Sequence, residues 1–415
     1  MRDYPNIRHI RLIDAAVRLG SLSRAADAVG ISQPAASQAL ARLERLFGGK
    51  LLERDGAGAK ATPRGAVVAR RSKRALSLLK SGHARLARLA KGGSRAADLA
   101  EPQTSMTHLR ALSAFAETGS FSAASRRLGL TEPSVQRAAR ELEQIAAVAL
   151  FDGAGRHLVL SPAGRLLGRH AHLVLKEIDA AWDEIRELEG AYDGRVMVAT
   201  LPLVRTRIIP TAVVALTEKR PQADIEIVDG PYDTLVQDLA NGRVDMLVGA
   251  LREDLPRRDL AQEPLFTDDL SVVARAGHPL ARKRLTPAML GRFPWVLPRE
   301  GTPSRTMFER LAKGFDAGWN GVGIVETGSL VALRGILMQS DRLTILSRRQ
   351  ILFEEEAGFL TVLPFRLYET GRPIGITTRA DWEPTALQAD FLSALRHAVA
   401  EEGGGSRGRK GGRDG

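Results

Sequence analysis

The stretch Gly20-Ser21-Leu22-Ser23-Arg24-Ala25-Ala26-Asp27-Ala28-Val29-Gly30-Ile31-Ser32-Gln33-Pro34-Ala35-Ala36-Ser37 carries its own punctuation. A helix reaching it from the N-terminal side ends at Gly20. A second opens at Ser23, and Gly30 marks a tight turn. A third begins at Ser32, with Pro34 in its first turn, where a missing N–H costs nothing. Ile10, Ile13, Val17, Ala25, Val29, Ile31, Ala36 and Leu43 recur at helical spacing and form the core of a three-helix module. The reading is helix, helix, turn, helix.

Sliding the chain by 99 positions repeats it without a gap: Gly20-Ser21 falls on Gly119-Ser120, Ser23 on Ser122, Ala25 on Ala124, Gly30 on Gly129 and Pro34 on Pro133. The register holds from Leu43-Glu44 onto Leu142-Glu143, through Leu51 onto Leu150, to Pro63 and Gly65 on Pro162 and Gly164. Self-similarity that long means a duplicated domain. Ser122 and Thr131 take the helix-opening places in the second copy.

The copies differ in charge. Residues 1–100 hold a net +13 and residues 101–193 a net −3, within a whole-chain balance of +12 over 415 residues. A focused cationic segment points to a polyanion, nucleic acid before membrane. With no cysteine, the chain has no disulfide framework, thiolate metal site or cysteine nucleophile, which suits a reducing compartment. No export signal or membrane-length apolar run is visible, so a cytoplasmic location is expected. That argues against a solute-binding transport protein. GxSxG, GK[ST], HExxH and a complete GxGxxG are all missing, so no catalytic residue and no cofactor is assigned. The eight histidines are scattered, and no metal site is expected.

Packing does not need the polar residues early in the third helix, Gln33, Ser37 and Gln38, or Arg42 further along. In a helix-turn-helix this segment enters the major groove, where Gln pairs with adenine and Ser with a base or phosphate. At these residues the chain resembles a family. Gly20 to Ala26, Ile31 to Ser37, Leu43-Glu44, Leu51-Leu52-Glu53-Arg54 and Thr62-Pro63-Arg64-Gly65 are similar to the winged helix-turn-helix head of LysR-type transcription regulators. The resemblance implies a two-stranded wing after Phe47 and a linker helix starting at Thr62-Pro63. The DNA-binding residues it suggests are Ser32, Gln33, Ser37, Gln38, Arg42, Arg54 and Thr62, with Thr131, Gln136 and Arg137 in the second copy. Glu132, Gln136 and Gly153 depart from the family pattern there. Arg24, Arg42, Arg45, Lys50, Arg54, Lys60 and Arg64 have no cation opposite them in the second copy, which Arg126, Arg127, Arg137, Arg140 and Arg156 only partly offset, so the first head is expected to supply most of the DNA affinity.

After the second head, Leu167, Ala171, Val174, Ile178, Ala181, Ile185 and Leu188 alternate spacings of four and three up to Gly190. This heptad seam is expected to bury itself against a partner helix. In the first copy the register gives Val68, Ser72, Ala75, Leu79, Gly82, Leu86 and Leu89, a weaker zipper. The resemblance implies dimerisation through this helix and hence a homodimer or homotetramer.

From Gly194 strands and helices alternate: 195–200, a helix over 205–219, 225–228, a helix over 234–241, and 245–249. Repeated β-α-β units predict a parallel sheet covered on both faces. Together with 270–274, 294–298 and 375–378 the region resembles the LysR effector domain, a two-lobed α/β fold similar to periplasmic binding proteins, hinged near 269–275 and 363–366. Strand ends and helix N-termini are the usual ligand positions in such sheets, and by analogy with the family the resemblance implies an effector cleft lined by Thr200, Leu201, Pro231, Tyr232, Thr302, Ser304 and Arg305. Thr200 and Thr302 equally suit helix capping. Arg205, Arg207, Arg299 and Arg305 could neutralise a carboxylate.

The expected architecture is multidomain. A winged head spans 1–65, a linker helix 66–91, a flexible linker 92–104, a second head 105–164, a dimerisation helix 165–190, an effector domain 194–400 and a disordered tail 401–415. Expected partners are double-stranded DNA, an acidic, aromatic or sugar-derived effector, a second copy and RNA polymerase, and no membrane. A ligand-independent architectural DNA-binding protein is the alternative.

Overall fold

A computed structural model describes residues 3–55, 58–89, 99–191, 194–253, 255, 259–315 and 323–405. Linker positions 90–98 and the tail after 405 lie outside the described residues. The chain divides into two compact units, 1–194 with 241–243, and 195–240 with 244–415.

The first unit holds both copies of the repeat. α1 (Ile7–Leu19), α2 (Leu22–Val29) and α3 (Gln33–Leu46) are followed by the hairpin β1 (Leu52–Asp55) and β2 (Gly58–Ala61), then by α4 (Pro63–Leu89). The second copy has α5 (Met106–Thr118), α6 (Phe121–Leu128), α7 (Glu132–Ala146), β3 (Phe151–Asp152), β4 (Val159–Leu160) and α8 (Pro162–Leu188). Gly30 and Gly129 end α2 and α6 in the left-handed region, φ 70° and 63°, where a side chain is disfavoured. The helix openers are Ser21 and Ser120 rather than Ser23 and Ser122: Ser21 accepts from the Arg24 N–H at 3.3 Å and Ser120 from that of Ala123 at 3.2 Å. Ser32 caps α3 by accepting from the Ala35 N–H at 3.4 Å. Thr131 stands at the same place but pairs with the Ser134 hydroxyl at 2.8 Å.

The seam of α8 is filled from within the chain, by α4 running antiparallel to it. Arg64 at the start of α4 pairs with Glu189 beyond the end of α8, Arg71 with Glu177 and Glu184, and Gly82 faces the His170 Cβ. Ala75 and Leu79 of α4 bury with Ala171, Val174 and Ile178 of α8. A sequence period shows that a stripe needs a partner, not which chain supplies it. The weak stripe on α4 suffices because small residues let α8 approach closely: a Cβ on Gly82 would lie 2.8 Å from that of His170. Arg71, 1% exposed, spends its charge between two glutamates, the condition under which a buried ion is tolerated.

Each head is completed by the other copy's long helix. Ala181 and Ile185 of α8 join the first head's core of Ile13, Leu43, Phe47 and Leu51, and the Phe47 and Trp182 rings lie 4.7 Å apart. Leu86 of α4 enters the second head's core beside Phe115, Val135 and Leu142.

In the second unit, β5 (Arg195–Thr200), β6 (Asp224–Asp229) and β7 (Met246–Ala250) are parallel, as the alternation predicts. The sheet is nonetheless mixed. β14 (Arg372–Arg379) enters antiparallel to β7 and pairs antiparallel with β8 (Leu260–Asp268), giving the order β6-β5-β7-β14-β8. Both faces are covered: Val196 and Val198 meet α9 (Ile208–Lys219) and α15 (Ala386–Gly405), and Ala199 meets α10 (Tyr232–Ala240).

The second lobe has β9 (Leu270–Arg275) between β12 (Thr344–Ser347) and β13 (Leu360–Val362), and β10 (Trp295–Leu297) beside β11 (Ile324–Glu326). α11 (Pro287–Leu290), α12 (Pro303–Ala312), α13 (Leu330–Met338) and α14 (Leu352–Glu356) pack around them. The chain crosses between lobes at Asp269 and returns after Leu363, where the sequence places the hinge. The crossings are tied: Thr370 donates to Asp269 at 3.0 Å, and buried Asp268 takes the Ser347 hydroxyl at 2.6 Å and Arg372 at 3.1 Å.

Candidate DNA interface and effector cleft

The first head presents α3 outward. Gln33, Ser37, Gln38 and Arg42 are all exposed, while Ala36, Ala39 and Leu43 between them are buried. The spacing puts these candidate side chains on the face opposite the core. The side chain of Arg54, on β1, lies outside the described residues.

Thr62 belongs to the scaffold. It is 7% exposed, donates to the Lys50 carbonyl at 2.7 Å and accepts from the Gly65 N–H at 2.9 Å, capping α4 and fastening it to the wing. Ser161 repeats both bonds, to the Ala149 carbonyl and from the Gly164 N–H, at 2.7 and 2.9 Å. Arg64 is likewise turned inward, donating to the Gly48 carbonyl at 3.0 Å and pairing with Glu189. The sequence missed a further repeated device. Glu44 accepts from the Leu51 N–H at 3.1 Å and Glu143 from the Leu150 N–H at 2.7 Å, so the shared Leu-Glu pair pins each wing to its recognition helix.

The second head exposes Thr131, just before α7, and Glu132, Gln136, Arg137 and Glu141 on it. Several of its cations are engaged elsewhere: Arg126 donates to Ser122 at 2.9 Å, Arg127 pairs with Glu117 at 2.5 Å, and Arg140 pairs with Glu143 at 2.6 Å over the Phe151 ring. The exchange of Arg42 for Glu141 is matched behind the helix. In the first copy burial, and after it the Arg42 charge, hold His9 below its usual range. In the second, His108 occupies that place and faces Glu141 at 3.3 Å.

In the second unit, Thr200 ends β5, fully buried. Its hydroxyl accepts from Arg205 Nε at 2.9 Å, and Arg205 also donates to its carbonyl. Arg205 meets Asp229, exposed at the end of β6, at 3.6 Å; burial lowers the pKa of this guanidinium. Leu201 continues the edge, its N–H on the Val248 carbonyl at 2.9 Å. Pro231 is exposed, and Tyr232 carries Arg252 over its ring at 4.6 Å.

The second-lobe candidates stand at the start of α12. Thr302 donates to the Arg299 carbonyl at 2.9 Å and accepts from the Arg305 N–H at 3.4 Å, the capping role. Ser304 is buried. Arg305 pairs with Glu309 and Glu326 at 3.0 Å and with Glu300 at 3.7 Å, so its charge is balanced within the lobe. The lobes meet where Arg334 of α13 donates to Thr206 at 3.1 Å while pairing with Glu354 at 3.0 Å. The sequence did not single out Arg334, because an arginine on an apolar helix reads as solvated.

Two heads with exposed recognition helices and a two-lobed α/β domain define a DNA-binding regulator with an effector-binding domain. Comparison with known proteins agrees. The bacterial regulatory helix-turn-helix of the lysR family matches residues 7–66 and again 106–165, and the LysR substrate binding domain matches 189–400. The chain belongs to the LysR family of transcriptional regulators. It is 32% identical over 405 residues to the HTH-type transcriptional regulator GalR of Pseudomonas putida, covering 96% of this chain and 99% of that protein. Identity to the regulator PcaQ of Agrobacterium fabrum is 28% over 302 residues, 94% of that protein but 71% of this chain. The first relative therefore has the length for two heads, whereas the second leaves about one head's length of this chain uncovered.

Among solved structures, a full-length variant of OxyR from Pseudomonas aeruginosa superposes with a TM-score of 0.55 at 21% identity, over 71% of this chain and 97% of that one. LysG from Corynebacterium glutamicum with bound effector Arg gives 0.52 at 17%, over 71% and 98%. Both share the fold. The relatives are regulators rather than enzymes, and the protein acts by binding DNA and a small-molecule effector. Among the described residues no helix is long and apolar enough to cross a membrane.

Proposed function

We propose that this regulator works in the cytoplasm, that its first head is the principal DNA reader, and that its effector is a small organic anion held at the first-lobe edge of the cleft. The cysteine-free composition supports the location. The ranking of the heads rests on α3 carrying Gln33, Ser37, Gln38 and Arg42 exposed, where α7 carries Glu132, Gln136, Arg137 and Glu141.

The observation that carries the effector reading is Arg205. It is a partly desolvated guanidinium fixed on the buried Thr200 hydroxyl, and its counterion among the described residues, Asp229, is an exposed carboxylate at 3.6 Å. An anion entering beside Thr200, Leu201, Pro231 and Tyr232 would neutralise a charge that burial disfavours. Arg305, already balanced by three carboxylates, is assigned to lobe structure, with Thr302 and Ser304 shaping the opposite wall. Closing the lobes on such a ligand changes DNA affinity only through its unequal affinity for the two conformations.

Titration calorimetry against aromatic acids and sugar acids tests this reading. Binding that Arg205→Gln weakens about tenfold or more is expected, from the loss of one charge-assisted contact. Saturable binding that Arg205→Gln leaves unchanged would put the effector elsewhere. Heat from no member of the panel, with DNA binding intact, would overturn the organic-acid reading.

A further inference from the structure

The antiparallel pairing of α4 with α8 builds inside one chain what two identical single-headed chains would have to assemble. The exchange is reciprocal, with Ala181 and Ile185 of α8 in the first head's core and Leu86 of α4 in the second's. The entry to the second head is fastened to the first copy as well. Thr104 bonds the His83 ring of α4 at 2.9 Å, and Glu101 pairs with Arg11 of α1 at 2.5 Å.

We propose that a single chain is a complete two-headed DNA reader, and that the duplex it fits has two half-sites of different sequence. Identical heads related by two-fold symmetry call for a palindrome. These heads are not identical. α3 offers Gln33 and Gln38, whose amides match adenine. α7 offers Arg137, which matches guanine, and Glu132 and Glu141, which can only accept and so match the cytosine amino group. One half-site is therefore read toward A·T and the other toward G·C, and contacts between chains are left to surfaces other than the long helices. DNA reading by both heads rests on taking α3 and α7 as recognition helices; the pairing of the long helices within one chain does not.

The absence of cysteine makes the first statement directly testable. Arg64→Cys with Glu189→Cys, joined in the full-length protein by a short bismaleimide, should give a product of single-chain mass under denaturing conditions. Arg70 of α4 also pairs with Glu184 of α8, so Arg70→Cys with Glu184→Cys repeats the readout should the first pair disturb the helix ends. A two-chain product from either pair overturns the internal pairing.

For the second statement, hydroxyl-radical footprints on the natural promoter compare Gln38→Ala with Arg137→Ala. Each should lose protection in a different half-site, and base substitutions in the affected half should lose roughly tenfold of their discrimination. Loss in the same half-site from both variants, or an unchanged footprint with Arg137→Ala, overturns the two-half reading and leaves the cross-link result standing on its own.

Discussion

Single hydroxyls and carboxylates decide how each head is held together, and the duplication makes their roles visible. Thr62 and Ser161, Glu44 and Glu143, Gly65 and Gly164 recur because each pair solves one contact. A Cβ at Gly65 or Gly164 would fall 1.8 or 1.9 Å from the carbonyl of Leu51 or Leu150. The family resemblance makes Thr62 a DNA-contact candidate, yet nothing in the order of residues shows that a hydroxyl is already bonded on both sides. The helix openers stand two positions before the expected ones for a related reason. Ser21 and Ser23 are chemically equal, and only the backbone angle at which the chain leaves the helix distinguishes them. Thr62→Val should lower stability by about 1–2 kcal/mol, from a lost cap and an unsatisfied Gly65 N–H, while leaving the salt dependence of DNA affinity unchanged. Denaturant unfolding and a salt titration on one preparation check both parts; an intact midpoint with a flattened slope would return Thr62 to the DNA surface.

At the scale of elements, the three-helix heads, the heptad-bearing helix after the second head and the early strands of the effector domain were legible in local periodicity and punctuation, while the wings and the start of the linker helix came from the family resemblance. The antiparallel entry of β14 and the partner of the α8 seam were not, since both are set by contacts far apart in sequence. Ile178 is 1% exposed, packed against Ala75 and Leu79. Ile178→Asp leaves a charge there without partner or water, and a destabilisation of roughly 3–5 kcal/mol is expected, read as a lower melting temperature of the two-headed unit. Sedimentation should keep the oligomeric mass; a halved mass with both heads still folded would restore the seam to an interface between chains. The same helix pair carries a pH response. Burial, and beside it the His170 charge, lower His83 from 6.5 to about 4. Unfolded, this ring takes up a proton near 6.5; folded, it stays neutral until about 4, so the unfolded state binds more protons in between. Stability is therefore fully present above 6.5 and declines as the pH falls, by about 1.4 kcal/mol per pH unit and ~3 kcal/mol altogether. Melting curves from pH 7 to pH 5 should show the loss in the native protein and less of it in His83→Gln; equal losses would assign it to other groups.

The whole molecule couples a basic two-headed unit to an effector domain whose lobes meet at Arg334 and Thr206. Its class was readable from the duplicated motif and the concentration of charge in the first copy. The chemistry of the cleft was less so, because Arg305 and Arg205 look alike in sequence, and only the surrounding carboxylates show that the first is balanced and the second much less so. The ranking of the heads is a proposal that rests on charge placement. Arg42 and Arg54 lie on the recognition helix and wing of the first head, whereas Arg126 and Arg140 of the second are engaged by Ser122 and by Glu143. Each phosphate contact contributes about 0.9 to the slope of log affinity against log salt on duplex DNA. The decisive measurement is that slope for two double variants on the protein's own promoter fragment. Arg42→Ala with Arg54→Ala should flatten it by roughly 2 units, and Arg126→Ala with Arg140→Ala by clearly less. A larger loss from the second pair would contradict the first head's leading role.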